Sequence, residues 1–215
     1  MIRHHKMVYT IFMNDNEETS KIKSWLGTGS INILGLPYSG KDTVGKRLAS
    51  DLDAEFLSSG DLLRAVGEEV QESGKLSPTN IFYDVVLPAF ARPELVGKSL
   101  VLSSIGRWYG EEKRVIEVAN TSEHPIKAVI LLKISEDEVT RRWKTSFELG
   151  DRDNRSDATE EKIAKRLEEF KNKTLPVVET YRELGLLVEI NGEQSRDEVY
   201  AEVIKKLVNR ASTSR

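Results

Sequence analysis

From Ile31 onward, short apolar runs alternate with longer stretches in which apolar residues recur every three or four positions. The runs predict strands at 31–34, 55–58, 99–103, 127–134 and 186–190. The stretches between them predict helices near 41–51, 60–73, 78–91, 111–119, 136–147, 159–183 and 196–210. Strands separated by helices in this way specify a parallel sheet covered on its faces by helices.

Local signals sharpen the helix boundaries. Pro78 suits a first helical position, and Ser135 with Glu138 and Ser195 with Glu198 have the spacing of capping boxes. Asp157 stands where it would cap the next helix, with Glu160 three residues on. Pro88 and Pro176 fall inside helical patterns and are expected to kink or divide them. Residues 1–30 fit none of this alternation; Val8 to Phe12 reads as a candidate edge strand, Glu17 to Leu26 as a short helix, and the extension as dispensable.

Length and composition narrow the class. The 215 residues, 39% hydrophobic and 31% charged, suffice for one sizeable α/β domain with small insertions. A net charge of -3 provides no general basic field for nucleic acid or an anionic membrane, so affinity for phosphate must be local. The absence of cysteine excludes disulfides and thiolate metal sites, and no apolar run approaches the ~20 residues of a membrane span. A cytoplasmic location is expected. His4, His5 and His124 lie outside every motif and read as surface or turn residues.

The stretch Ile31 to Thr43, INILGLPYSGKDT, places a glycine-bounded turn ending in lysine between a strand and a helix. Such a turn aims backbone amides and the positive end of a helix at one anion, which is what phosphate binding needs. Gly35, Gly40 and Lys41 are in register with GxxxxGK[ST], but Asp42 follows the lysine and Thr43 comes one place later. An ordinary strand, turn and helix with a surface lysine would also carry this stretch.

After the second strand comes SSGDLLR, from Ser58 to Arg64. Together with GLPYSGKDT it resembles the adenylate kinase (nucleoside monophosphate kinase) family, whose loop is commonly GxPGxGKGT and whose next motif is close to STGDLLR. SLVLSSIGR, ending at Arg107, sits where that family has a strand followed by DGFPR or DGYPR. Arg142-Trp143-Lys144-Thr145-Ser146, Arg155-Ser156-Asp157 and Arg166-Leu167 follow the family's RGKTSGRxDD and downstream KRL. The resemblance covers roughly 31–210.

It implies a P-loop NTPase-type α/β/α fold with a five-stranded parallel sheet, divided into an extension 1–30, a kinase domain 31–210 and a tail 211–215. Within the domain, 59–92 would be a small helical monophosphate-binding insertion, and 142–157 a short lid without zinc. The implied reaction is reversible transfer of the γ-phosphoryl group of Mg·ATP to a nucleoside monophosphate, AMP first. A kinase for GMP, UMP or CMP and a catalytically weak nucleotide-binding regulator are the alternatives. ATP and the monophosphate would be the partners of a monomer that binds neither nucleic acid nor membrane.

By the same resemblance, Gly35, Pro37, Ser39, Gly40, Lys41, Asp42, Thr43 and Arg142 would bind ATP. Ser59, Gly60, Arg64, Arg107, Glu111, Arg155 and Arg166 would bind the monophosphate, and Lys41, Arg107, Arg142, Arg155 and Arg166 would carry the chemistry. Cations arriving from five segments suit phosphoryl transfer, which is largely positioning and charge neutralisation. Each arginine taken singly also reads as a solvated helix residue.

Three positions depart from the family. Ser103 stands where the DGFPR aspartate belongs, and Asp42 where a glycine follows the loop lysine. A carboxylate beside phosphates is repelled unless Mg²⁺ lies between, so Asp42 either takes over part of the metal-organising role or turns away to cap its helix. Glu111 replaces the glutamine four residues after the arginine; ionised, it accepts only, which suits two adjacent donors on guanine better than adenine. An acidic residue at a helix start is also ordinary.

Overall fold

A computed structural model describes residues 17–66, 78–148 and 159–213. Helix α1 (17–26) precedes β1 (Ser30–Gly35), α2 (Lys41–Leu52), β2 (Glu55–Ser58) and α3 (Ser59–Ala65). Next come α4 (Thr79–Val85), β3 (Leu100–Ser103), α5 (Glu111–Thr121), β4 (Ile126–Lys133) and α6 (Glu136–Glu148). Helices α7 (Glu160–Glu169) and α8 (Leu175–Glu183), β5 (Leu187–Asn191) and α9 (Arg196–Thr213) complete the chain.

The five strands form one parallel sheet in the order β2-β3-β1-β4-β5. All five expected strands are present to within one residue at each end. Side chains alternate across the sheet because strand residues point to opposite faces. Ile31, Ile33, Val101, Ala128, Ile130 and Leu132 pack under α1, α2 and α9, whereas Leu34, Leu102, Val129 and Leu131 pack under α3, α5 and α8.

This order makes β1 the place where the winding reverses: α2 leaves it toward β2 on one side, and α5 later returns the chain to β4 on the other. Parallel sheets bind ligands in the crevice outside the carboxyl ends of the strands at such a reversal. The candidate site therefore belongs at the ends of β1 and β3.

Several local expectations are corrected. Residues 17–26 belong to the core, since Ile22 and Leu26 are fully buried against Leu52, Val203 and Leu207; the segment preceding β1 is not dispensable throughout. The candidate strand at 8–12 lies outside the described residues. Helix α3 opens at Ser59, with Ser58 accepting the Asp61 amide, and its described part ends at Ala65. Pro78 is the residue before α4 rather than its first, because its extended backbone with ψ 145° turns the chain into the helix.

The prolines divide their helices as expected. Helix α4 stops at Val85, and a 3₁₀ turn, Leu87–Ala91, takes over at Pro88. Pro176 has no amide to donate to the carbonyl four residues back, and α7 and α8 are joined by a π turn, Phe170–Thr174, in which the Leu175 amide reaches Phe170 O.

The capping boxes differ from one another. Ser195 and Glu198 form a complete one, each side chain accepting the other's amide. Ser135 accepts the Glu138 amide, but its own amide donates to Glu193, because the Glu138 carboxylate is held by Arg141 and Arg142. The expected cap Asp157 lies outside the described residues, and the helix is capped by Thr159.

Candidate active site

The loop from Leu36 to Ser39 joins the end of β1 to α2, and its sharp turn uses left-handed backbone at Tyr38 (φ 61°) and Gly40 (φ 88°). Gly40 is the N-cap of α2 and makes no side-chain cap, so the helix presents backbone amides at the loop. At Gly35 a Cβ would meet Ser39 Oγ at 2.7 Å and Leu132 O at 2.9 Å, which explains glycine there. The Ser39 hydroxyl is buried and has no hydrogen-bond partner, a polar atom left for a ligand.

Tyr38 is a loop residue whose importance the residue pattern did not reveal. A tyrosine in left-handed backbone carries strain of order 1 kcal/mol or more. Its ring is buried with Val139 of α6 and Ile163 of α7, so packing holds the strained residue and ties the loop to both helices. The signal available in the sequence was an aromatic residue inside a turn bounded by glycines.

At the end of β3, Ser104 (φ 60°) and Gly106 (φ 69°) both take left-handed backbone. Ser59 Oγ donates to Ser104 O at 2.8 Å, and buried Asn32 of β1 donates to Ile105 O at 2.8 Å and accepts the Ile105 amide at 3.4 Å. These contacts fix the backbone just before Arg107, which lines the adjacent cavity.

Arg107 meets charges from three elements. Burial and Arg166 push its pKa down, while Glu111, Asp42 and Glu169 hold it up; the balance, at about 10, leaves it charged at neutral pH. Thus Arg107, Arg166 and Asp42, distant in sequence, share one neighbourhood beside the phosphate loop. Ser103 Oγ donates to Asp42 Oδ1 at 2.6 Å. Asp42 lies within the first turn of α2 and is not its cap, so the capping alternative is set aside.

Arg142 is committed differently from the lid role expected of it. Its Nε pairs with Glu138 at 2.6 Å, Nη1 donates to Tyr38 O at 3.3 Å, and Nη2 donates to Gly192 O at 2.7 Å. The guanidinium staples α6, the phosphate loop and the turn after β5, and Arg142 lines a pocket of about 540 Å³. Gly40, Thr43 and Gln194 share that pocket, beside Arg47 stacked 3.9 Å from the Tyr200 ring. The sequence offered no sign of this stack, whose partners lie 153 positions apart, as their numbers show.

On the opposite side, a small cavity of about 10 Å³ is lined by Ser59, Leu63, Phe82, Ser104, Arg107, Trp108 and Glu111. The Glu111 carboxylate is buried; Oε2 accepts the amides of Arg107 and Trp108 at 2.9 and 3.0 Å, while Oε1 makes no hydrogen bond of regular geometry. Burial raises its pKa, opposed by the Trp108 amide, the Thr79 hydroxyl and the Arg107 amide. The position therefore organises the backbone of the arginine loop.

The remaining candidates divide. Arg64 folds back onto Asp61 of its own helix turn and lies against Gly60, where a Cβ would be 3.2 Å from its Nη1. Arg155 lies outside the described residues. His124 is buried rather than at the surface, with Nδ1 3.0 Å from Thr28 O, and serves packing. Among the described residues, no cluster of three metal-ligating side chains occurs and no helix is long and apolar enough to cross a membrane.

Mg²⁺ is implied by the resemblance, and the donor set suits it: Mg²⁺ takes one or two carboxylates together with substrate phosphates and waters. Asp42, beside the phosphate loop, supplies one such carboxylate.

Comparison with known proteins identifies the family and agrees with the fold. The family model for adenylate kinase matches residues 33–186. An adenylate kinase of Thermus thermophilus is 30% identical over 184 residues, spanning 81% of this chain and 94% of that protein. UMP-CMP kinase 2 of Oryza sativa subsp. japonica is 33% identical over 179 residues, spanning 80% and 71% respectively. A gluconokinase from Sinorhizobium meliloti superposes with a TM-score of 0.62 at 19% identity, covering 86% of this chain and 94% of its own, a likeness of fold. By the family match over 33–186 and the identity to curated adenylate kinases, this chain belongs to the adenylate kinase family of phosphotransferases.

Proposed function

We propose that the enzyme transfers the γ-phosphoryl group of Mg·ATP reversibly to AMP. The observation that supports this most is the gathering of Arg107 and Arg166 with Asp42 at the carboxyl edge of the sheet, next to the loop at Gly40 and Lys41. The acceptor phosphate is itself the nucleophile, so positioned cations are required rather than a general base.

Lys41, the loop amides and the Ser39 hydroxyl would hold the donor's β- and γ-phosphates, with Thr43 lining the pocket. Arg142, its N–H groups spent on carbonyls and Glu138, would offer its planar face to the donor base. Asp42 would hold Mg²⁺ through water, and the bound ion would neutralise charge on the transferred group. Arg107 would grip the acceptor phosphate, with Ser59 and Gly60 lining that side, and Arg166 would steady the migrating group. Arg64 would join them on leaving Asp61, and Arg155 would come from the lid.

A second reading, phosphorylation of GMP, UMP or CMP, is favoured by Glu111, whose buried carboxylate lies in the acceptor-side cavity, and by the likeness to a UMP-CMP kinase. Ionised Glu111 accepts from an exocyclic amine but cannot donate to adenine N1. A coupled assay with ATP and AMP, GMP, CMP, UMP or dTMP decides between them. Fastest turnover of AMP is expected; no product with any of the five would overturn the kinase reading in favour of a nucleotide-binding regulator.

A further inference from the structure

The π turn at Phe170–Thr174 sits where the chain passes from α7, which carries Arg166, to α8. It sends two side chains to the loop that carries Arg107. Thr174, almost fully buried, donates from Oγ1 to Arg107 O at 3.2 Å. Lys173 Nζ lies 3.6 Å from the centroid of the Trp108 ring and pairs at 2.6 Å with Glu169, which is also buried.

From the other side, Glu111 takes the Arg107 and Trp108 amides, and buried Glu112 takes the Gly110 amide at 2.6 Å. The loop is thus held at its amides by α5 and at its carbonyl and indole by the π turn. An uninterrupted α-helix from 160 to 183 would rotate Lys173 and Thr174 relative to Arg166, because a π turn adds one residue to the helical repeat. Pro176, which cannot complete the α ladder, thereby keeps Lys173 and Thr174 on the loop while Arg166 stays near Arg107.

We propose that Lys173 and Thr174 are positioning residues that hold Arg107 in register for the acceptor's phosphate, coupling the arginine loop to the helix that carries Arg166. This rests on the reading above in which Arg107 grips the acceptor. An ammonium over an indole and a threonine bonded to a main-chain carbonyl fix the loop without touching substrate.

The test compares Lys173→Met, Thr174→Val and their double variant with the conservative Lys173→Arg and Thr174→Ser, using ATP and whichever of AMP, GMP, CMP or UMP turns over fastest. In the double variant the KM for the monophosphate is expected to rise about tenfold, the scale set by small misplacements of a binding group. The KM for ATP and the urea midpoint stay near the parent's, and both conservative variants recover the parent's monophosphate KM. An unchanged monophosphate KM, or an equal rise in both KM values together with a lowered midpoint, overturns the inference. Arg107→Lys is measured in parallel: if it leaves the monophosphate KM unaltered, the acceptor role of Arg107 itself fails. If it raises that KM while the double variant does not, only the positioning role fails.

Discussion

Ser103 Oγ and Asp42 Oδ1 are joined by a hydrogen bond of 2.6 Å between the end of β3 and the first turn of α2. Two of the three positions that depart from the adenylate kinase pattern are therefore in direct contact. The strand carries a hydroxyl where the family has a carboxylate, and that hydroxyl donates to a carboxylate on the neighbouring helix.

Exchanging the pair tests that relationship. Asp42→Gly is expected to weaken Mn²⁺ binding to the enzyme–ATP complex, measured by electron paramagnetic resonance, and to lower kcat by about 10². Asp42→Gly with Ser103→Asp returns the carboxylate to the strand and is expected to recover much of both. Unchanged Mn²⁺ affinity in the single variant would remove Asp42 from metal handling.

Lys41→Ala is expected to abolish measurable transfer, a loss of about 10² or more for a positioned charge at the reacting phosphates. Far-ultraviolet circular dichroism is expected to match the parent, because α2 is held by Val44, Leu48 and Leu52 rather than by its first residue.

Leu26→Ala probes the helix before the sheet. Leu26 is buried among Ile22, Leu52 and Leu207, and truncation is expected to cost about 2–5 kcal/mol in urea unfolding, as for other buried leucines. A cost near zero would mean that α1 is peripheral to the core.

Glu138 predicts the acid limb of stability. Hydrogen bonds from Arg141 and Arg142 hold its carboxyl down at about 2, against an ordinary 4.5. A depressed pKa contributes stability that is complete above 4.5 and is lost as pH falls toward 2. Glu138→Gln is therefore expected to lower the melting temperature at pH 7 and to flatten its decline between pH 4.5 and 2, followed by scanning calorimetry. The same variant removes the ion pair at Arg142 Nε while its contacts to Tyr38 O and Gly192 O remain, and is expected to raise the KM for ATP.

The strands, the phosphate loop and the kinked helices were legible because each depends on neighbours in sequence. Apolar runs predict strands wherever a sheet is covered on both faces, Gly35 and Gly40 mark backbone that side chains disfavour, and Pro88 and Pro176 interrupt a ladder four residues long. Charge chemistry was partly legible for a similar reason, since Lys41, Arg107 and Arg166 follow a spaced pattern.

Pairing across elements was not legible. Nothing local announces that Arg142 spends its N–H groups on Tyr38 and Gly192, that Thr174 holds Arg107, or that the extension before β1 inserts Ile22 and Leu26 into the core. The amino-acid order determined where the backbone runs straight, coils or turns, because those choices are set by side-chain periodicity and by glycine and proline within a few residues. Only the folded sheet decided which carboxylate meets which hydroxyl and which cations share a crevice, because such energies depend on distance and burial, and these exist only once β1 and β3 lie side by side.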